Sequence, residues 1–337
     1  MSDVWQTEIY LEKALQGDTD AQRILGDCYY YGRGIDQDYA QAVRWYERAA
    51  AKGNAQAQCN LGVCCFSGTG TPRNEYRAVH YFEKAAAQNA PDALFNLGIC
   101  YFNGTGTPQN IQRALECFLA AAGMGYTDAQ CRLGDCYYNG QGVEQNAEEA
   151  VKWYRMAAEQ GDADAQCNLG ICLYNGTGAP QDAGEAAQWY TKAAMQDHPF
   201  AQCLLGFCFE MGRGVQQNYA KAVEWYRRAA EQGDPTAQNS LGDCLRRGLG
   251  VMQNITAALA WYQAAAAQGD MDAQYNLGVC HDAGQGVARD PEKALEWFEL
   301  AAAQGHEKAA MRAATLRGHK EARAEAAQDQ AMHFSEQ

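Results

Sequence analysis

The chain has 337 residues, a length that would ordinarily divide into about two or three domains. Hydrophobic residues make up 47% and charged residues 20%, a balance that excludes wholesale disorder. The net charge of −14 would repel nucleic acids and anionic membrane surfaces, so we expect neither as a partner. No apolar run of about 20 residues predicts membrane insertion, and no secretory signal is recognisable, so we expect a cytoplasmic protein.

In chain order, residues 1–20 come first, and the apolar spacing from Trp5 to Gln16 predicts a capping helix. Residues 21–308 then consist of a unit of 36 residues written eight times without insertion or deletion. The marker is a Leu-Gly pair at Leu25-Gly26, Leu61-Gly62, Leu97-Gly98, Leu133-Gly134, Leu169-Gly170, Leu205-Gly206, Leu241-Gly242 and Leu277-Gly278. Residues 309–337 complete a C-terminal capping helix, expected to end near Leu316, and a polar tail that is either helical or disordered.

The sequence of each unit predicts two helices. In the first unit, Ala21, Leu25 and Cys28 have helical spacing, and a Gly-x-Gly motif then ends the helix in a left-handed conformation. The second helix carries apolar residues at Ala42, Trp45 and other positions three or four apart, and it ends near a second glycine or Asx residue. An Asx residue before each second helix predicts an N-cap, at Asp38, Asn74, Asn110, Asn146, Asp182, Asn218, Asn254 and Asp290.

The glycine after each marker leucine lies inside a predicted helix. Glycine there costs about 1 kcal/mol relative to alanine, so a reason for keeping it is needed. We expect that another backbone approaches too closely for a methyl group. Because Cys117 replaces the usual tryptophan of the second helix, we expect looser packing in the third unit.

The repeated motif A-Q-x-x-L-G-x-x-Y-x-x-G-x-G-V-x-x-D/N, followed by A-x-x-W-Y-x-x-A-A-x-x-G, resembles the Sel1-like repeats, relatives of the tetratricopeptide repeats. The resemblance covers residues 21–308. It implies an all-α, right-handed solenoid of eight helix-turn-helix repeats whose first helices line a concave face. It also implies a non-enzymatic adaptor, because members of the family assemble signalling, envelope or quality-control complexes.

Cysteine is unusually frequent, with fourteen residues, of which twelve fall into two sets of eight and four. One branch of the family, the Helicobacter cysteine-rich proteins, joins the two helices of each repeat by disulfides, but here the second helices have no recurrent cysteine. The recurrent set is one per first helix, which favours a small apolar packing residue. The second set lies five residues earlier, where the side chains diverge by about 140° and neither a disulfide nor a metal site is predicted. These four thiols could instead face the groove as redox groups: Cys59, Cys131, Cys167 and Cys203.

Signatures of catalysis are missing from the sequence. There is no GxxxxGK[ST], GxSxG, SxxK or HExxH motif, and the GTG loops recur as turns without a following lysine. The six histidines have no spacing that would match the cysteines as metal ligands. We therefore predict no catalytic residue, no cofactor and no metal.

Binding is predicted on the first helices, where three positions spaced by four and then three residues share one face. The middle of this face is apolar and aromatic, and both of its ends are charged, which is typical of a binding surface for a peptide or protein. The alternative is that these side chains pack against neighbouring helices. Recurrent asparagines such as Asn60 are expected to hold neighbouring backbone instead. The predicted partner-binding residues are Arg23, Asp27, Tyr30, Phe66, Phe95, Ile99, Phe102, Asp135, Tyr138, Ile171, Tyr174, Phe207, Glu210 and Arg246.

The sequence thus predicts an adaptor that holds a polypeptide segment, and we expect a monomer, with dimerisation through edge repeats as an alternative. Two other functions stay open: a thiol-redox or β-lactam-interacting protein like the cysteine-rich relatives, and an exported bacterial effector. The repeats would look the same in each case.

Overall fold

The structure, a computed structural model, describes residues 2–335, and side chains are described for residues 7–322. These residues form eighteen helices and no strand. The side chain of Trp5, at the start of the predicted N-terminal helix, and residues 336 and 337 of the predicted tail lie outside the description. The helices are α1 Ser2–Leu15, α2 Thr19–Tyr31, α3 Tyr39–Ala51, α4 Ala55–Ser67, α5 Glu75–Ala86, α6 Pro91–Asn103, α7 Ile111–Gly123, α8 Thr127–Asn139, α9 Ala147–Glu159, α10 Ala163–Asn175, α11 Ala183–Ala194, α12 Pro199–Met211, α13 Tyr219–Glu231, α14 Pro235–Arg247, α15 Ile255–Ala267, α16 Met271–Ala283, α17 Pro291–Ala303 and α18 Glu307–Ser335.

The even-numbered helices α2 to α16 begin the eight repeats and are called A helices, and the odd-numbered helices α3 to α17 are called B helices. The chain divides into two compact units, residues 1–165 with 177–180, and residues 166–176 with 181–337. In unit 1, α1 packs on α2, and each later helix up to α9 packs on the one before it. In unit 2, the helices from α11 to α18 pack in the same successive way. The all-α repeat architecture predicted from the sequence is therefore confirmed.

The predicted N-caps of the B helices are also confirmed. Each of the eight Asx residues before a B helix accepts a hydrogen bond from a backbone N–H of the first turn, as Asp38 does from Gln41 at 3.0 Å. After the B helices, Asn89 and Asp197 take the place of glycine with φ of 58° and 60°. Short Asx side chains tolerate this left-handed conformation better than other L-residues do. The last helix does not end near Leu316 as expected, but continues from Glu307 to Ser335, so the tail takes the helical one of the two expected alternatives.

We expected another backbone to lie against the glycine inside each A helix, and this prediction was wrong. A Cβ added to Gly26 would lie 2.5 Å from a ring carbon of Tyr46 on the B helix, so an aromatic ring occupies the space rather than a backbone. The close backbone approach occurs at the second glycine of the loop motif. There a Cβ on Gly70 would lie 2.2 Å from the carbonyl oxygen of Tyr39 in the preceding repeat. The A helix therefore packs directly on the ring of its own B helix.

A buried glutamine links the B helix of one repeat to the next repeat. Gln58 donates from Nε2 to the carbonyl of Ala50 at 3.2 Å, which adds a side-chain donor to a carbonyl that already accepts from the backbone N–H of Gly53 at the end of α3. Its Oε1 accepts from Gln88 at the end of α5, at 2.8 Å. In the third repeat, Leu94 and Met124 occupy these two positions, so an apolar pair replaces the polar link.

Candidate functional site

The A-face of each unit is the surface formed by the three predicted positions on its successive A helices. In the first repeat the first, second and third positions are Arg23, Asp27 and Tyr30, and in the second repeat they are Cys59, Val63 and Phe66. In unit 1, neighbouring A helices are joined side by side through polar side chains. Asn60 of α4 donates to Asp27 of α2 at 3.0 Å, and Gln56 of α4 donates to Asp92 of α6 at 2.6 Å. The asparagine therefore holds a neighbouring side chain, which corrects the expectation that it holds backbone. Asn276 makes the same kind of contact in unit 2, with Asn239 at 2.9 Å.

All fourteen predicted partner-binding residues are half-buried or exposed on this face, and none is fully buried. The most exposed apolar side chains at the second position are Val63 in unit 1 and Phe207 in unit 2, with exposed fractions of 38% and 37%. This pattern differs from that of the B-helix rings, such as Phe82 and Tyr226, which are at most 2% exposed. The A-face thus presents apolar surface while the core is sealed beneath it.

In unit 1 the aromatic side chains of the A-face are supported by the layer below. The ring of Phe95 lies 5.8 Å from that of Phe118 and 5.4 Å from that of Tyr126, and the ring of Phe102 lies 6.5 Å from that of Phe118. Phe66 and Ile99 pack on the same core. These side chains therefore both pack against neighbouring helices and keep part of their surface exposed, a combination that joins the two readings of the sequence.

The guanidinium group of Arg132 lies over the ring of Phe102, 4.4 Å from its centre, and its terminal nitrogen is 3.7 Å from Asp135. Sequence reasoning missed Arg132, because no other repeat has a charged residue at its position, where asparagine is the most frequent residue. Tyr138 lies on the same helix, about one turn after Asp135, and is half-buried. The A-face of unit 1 therefore carries an Arg–Asp pair on α2 and another on α8, with apolar residues between them.

The aspartates of the A-face are anchored from below. Asp27 accepts a hydrogen bond from the hydroxyl of Tyr46 at 2.8 Å, and Asp135 accepts one from Tyr154 at 2.9 Å. Burial raises the pKa of both carboxyl groups, although the hydrogen bonds from the tyrosines and the nearby arginines oppose that shift. These two residues are therefore structural contacts as much as surface charges.

Unit 2 has an aromatic patch bordered by charge. The rings of Tyr174 and Phe207 meet edge to face at 6.4 Å, and Arg213 donates to the Tyr174 hydroxyl at 2.7 Å. Glu210 accepts from the hydroxyl of Tyr226 at 2.7 Å. On α14, Arg246 donates to Asp243 at 2.8 Å and to the hydroxyl oxygen of Tyr262 at 3.1 Å. Ile171 is half-buried on α10.

The second set of cysteines does not face outward, which corrects the expectation of groove thiols. Cys59, Cys131, Cys167 and Cys203 are at most 8% exposed. Burial, the largest cause, raises the pKa of the Cys203 thiol well above its usual range, so it stays protonated at neutral pH. All fourteen cysteines lie in the described part of the chain, and each is a free thiol.

Two searches of the described residues concern other kinds of site. No group of three or more His, Cys, Asp or Glu side chains there could hold a metal ion. Within the same residues, no helix combines the length and the apolar character needed to cross a bilayer.

The comparisons with known proteins agree with this architecture. The Sel1 repeat model matches eight times, at residues 19–54, 55–89, 91–126, 127–162, 163–198, 199–234, 235–270 and 272–306. A protective antigen of uropathogenic Escherichia coli, which displays an SLR fold, is 34% identical with a TM-score of 0.80, over 93% of this chain and 67% of that chain. A Sel1 repeat protein from Oxalobacter formigenes is 31% identical with a TM-score of 0.64, over 93% of this chain and 90% of that chain.

A sensor ATPase with tetratricopeptide repeats from Pyrococcus horikoshii matches in fold alone, at 13% identity and a TM-score of 0.54, over 90% of this chain and 50% of that chain. The comparison with curated proteins gives no match. Eight consecutive matches to one repeat model, in phase with the helix pairs of the structure, decide the assignment. The chain belongs to the Sel1 repeat family.

Proposed function

We propose that this protein is a non-enzymatic adaptor that binds a polypeptide segment along its A-faces. The observation that carries the proposal is the row of half-exposed apolar side chains on successive A helices, which includes Val63, Phe66 and Phe102 in unit 1. Contiguous apolar surface of this kind is uncommon on a folded protein unless a partner covers it. Membership of a family whose members serve as protein-interaction scaffolds supports the same function.

The energetic contribution of the A-face would come from a few aromatic side chains. Phe102 is held in place by Phe118 below and by Arg132 above, so little side-chain entropy would be lost when a partner covers it. Rigid aromatic and arginine side chains are the usual hot spots of protein interfaces. Phe207, paired with Tyr174, is the corresponding anchor in unit 2.

The proposal is tested by affinity capture of partners with two A-face variants, Phe102→Ala and Phe207→Asp. We expect both to lose the partner that the wild-type protein recovers, while the helical circular-dichroism signal is unchanged. The matched control is Tyr76→Ala on the B helix α5, because that side chain is 79% exposed and away from the A-face positions. Equal recovery by wild type and both A-face variants would refute the assignment.

A further inference from the structure

The first repeat has a cleft in which two arginines meet. Two adjoining cavities of about 350 and 460 Å³ share Arg23, Asp27 and Arg33 in their walls. Both cavities lie in unit 1, at the N-terminal end of its A-face. The remaining lining residues are Thr7, Tyr10, Ile24 and Cys28 in the first cavity and Tyr31, Gln56 and Asn60 in the second.

The charges of this cleft are unequal. Arg23 forms an ion pair with Asp27 through one terminal nitrogen, and Asp27 also accepts hydrogen bonds from Tyr46 and Asn60. The carboxylate is therefore saturated by the protein itself. Arg33 lies over the ring of Tyr31, 4.7 Å from its centre, and forms no ion pair with any residue that the structure describes. Two guanidinium groups thus face one carboxylate, in a chain whose net charge is −14.

The pair of arginines is a property of this repeat alone. The position of Arg23 holds cysteine, phenylalanine, asparagine or tyrosine in the other seven repeats, and that of Arg33 holds a second arginine only in the sixth. Beside the cleft is a third cavity of about 140 Å³ that leads onto the apolar part of the A-face. Its lining is Tyr30, Tyr31, Tyr46, Asn60 and Val63.

We propose that this cleft binds a carboxylate group of the bound polypeptide, with an apolar part of the same segment lying on Tyr30 and Val63. The planar guanidinium group matches a carboxylate with two parallel hydrogen bonds, and Arg23 is already positioned by Asp27. The inference rests on the proposed function for the rest of the segment. It adds the chemistry of one end and so fixes the direction in which the segment lies. The carboxylate is either an acidic side chain or a chain terminus.

The cleft is tested first without any peptide. The probe is N-acetylglutamate α-amide, added to the full chain while the side-chain Nε–H signals of its arginines are followed by NMR. We expect the signals of Arg23 and Arg33 to shift and that of Arg48 to stay. Arg48 is a matched control, since it also stacks on an aromatic ring, that of Trp45, but on a B helix. No shift with the glutamate probe, or equal shifts with its glutamine counterpart or with inorganic phosphate, would overturn the inference.

The second test separates the inference from the proposed function. The probes are nonapeptides of Ala, Leu and Phe. Each contains either one Glu or one Gln near an end, and each is made with a free and with an amidated C-terminus. We expect about tenfold tighter binding when one carboxylate is present, because charge-assisted hydrogen bonds are the strong ones. Arg33→Gln should remove this preference and Arg48→Gln should keep it. If the peptides with Glu bind more tightly, the cleft binds an acidic side chain. If the peptides with a free C-terminus bind more tightly, it binds a chain terminus.

The outcomes are distinguishable. Binding of all peptides with equal affinity would overturn the carboxylate cleft and leave the adaptor function standing. Binding of none, together with NMR shifts at Arg33, would overturn the adaptor function while the cleft is retained as a carboxylate site. A preference that persists in Arg33→Gln would also overturn the inference, because Arg33 is the unpaired guanidinium group of the cleft.

Discussion

The second and fourth repeats, both in unit 1, use the same two positions in opposite ways. In the fourth repeat, Asp135 on the A-face accepts a hydrogen bond from the hydroxyl of Tyr154 beneath it. In the second repeat, Val63 stands at the first of these positions and Phe82 at the second. The backbone and the ring position are shared, and only the polar atoms differ. In these two repeats, an aspartate on the A-face therefore occurs together with a tyrosine hydroxyl on the B helix below it.

The same coupling recurs along the chain. Aspartate is matched with tyrosine in the first and seventh repeats, and an aliphatic residue with phenylalanine in the third and eighth. The sixth repeat keeps a tyrosine, Tyr226, but supplies its acceptor from Glu210 instead. The fifth repeat, with Ile171 and Tyr190, departs from the rule. Buried hydroxyls need a partner, which explains why the two positions change together.

The largest effect on stability is expected at the glycine that both repeats have inside the A helix. A Cβ at Gly134 would lie 2.4 Å from the ring of Tyr154, and one at Gly62 would lie 2.6 Å from that of Phe82. We expect Gly134→Ala and Gly62→Ala each to lower the free energy of unfolding by about 2 kcal/mol, because overpacking outweighs the helix propensity of alanine. Urea unfolding followed by circular dichroism measures both. An increase in stability in either variant would mean that the ring moves aside freely.

A smaller effect is expected from removing one hydroxyl. Tyr154→Phe removes the hydrogen bond that the tyrosine donates to the half-buried carboxylate of Asp135, and we expect a loss of about 1.5 kcal/mol in unfolding free energy. Tyr76→Phe is the control, because that side chain is 79% exposed and its loss should be close to zero. Equal effects in the two variants would contradict the polar coupling described above.

Converting the fourth repeat into the pattern of the second sharpens the comparison. The double variant Asp135→Val with Tyr154→Phe removes both members of this hydrogen bond, and the ion pair of Arg132 with Asp135 is lost equally in the single variant Asp135→Val. We expect the double variant to be more stable than the sum of the two single changes predicts, by about 1 kcal/mol of coupling energy. Unfolding free energies of the wild type, both single variants and the double variant measure this. Strict additivity would show that the two residues are independent.

The smallest effect concerns pH. Burial is the main cause that raises the pKa of Asp135 above its ordinary value of 3.8. A group with a raised folded-state pKa contributes stability that is present below the unfolded value and is lost as the pH rises through the folded value. The stability of the wild type relative to Asp135→Asn should therefore fall as the pH rises from the unfolded-state pKa of this carboxyl group through its higher folded-state pKa. Val63→Ala, which has no titrating group, should keep a constant difference from the wild type.

The sequence was sufficient to predict the helix pairs, their boundaries and the residues equivalent in each repeat, because a fixed period of 36 residues and a recurrent Asx cap depend on local structure alone. It could not identify the neighbour that each residue meets. Gly26 was expected to lie against another backbone, but it lies against the ring of Tyr46. Asn60 was expected to hold neighbouring backbone, but it donates to the carboxylate of Asp27. The joint change of Asp135 and Tyr154 was visible in the sequence and could have predicted their contact.

The A-face was predicted in outline and missed in detail. The three-position rule selected half-exposed residues, but it passed over Arg33, which lies in a loop, and Arg132, which departs from the repeat pattern. The four cysteines of the second set were assigned to this face and are buried instead. An angle on an isolated helix does not tell which faces the adjacent helices cover.

The most direct measurement of the adaptor function is site-specific photocrosslinking from the A-face. A benzophenone amino acid replaces Phe207, which is an aromatic residue 37% exposed, and in a second variant replaces Met195, which is 73% exposed at the end of a B helix. The account predicts that cells expressing the Phe207 variant yield a defined polypeptide adduct that the Met195 variant does not form. Adducts from Met195 alone, or the same adducts from both positions, would contradict it.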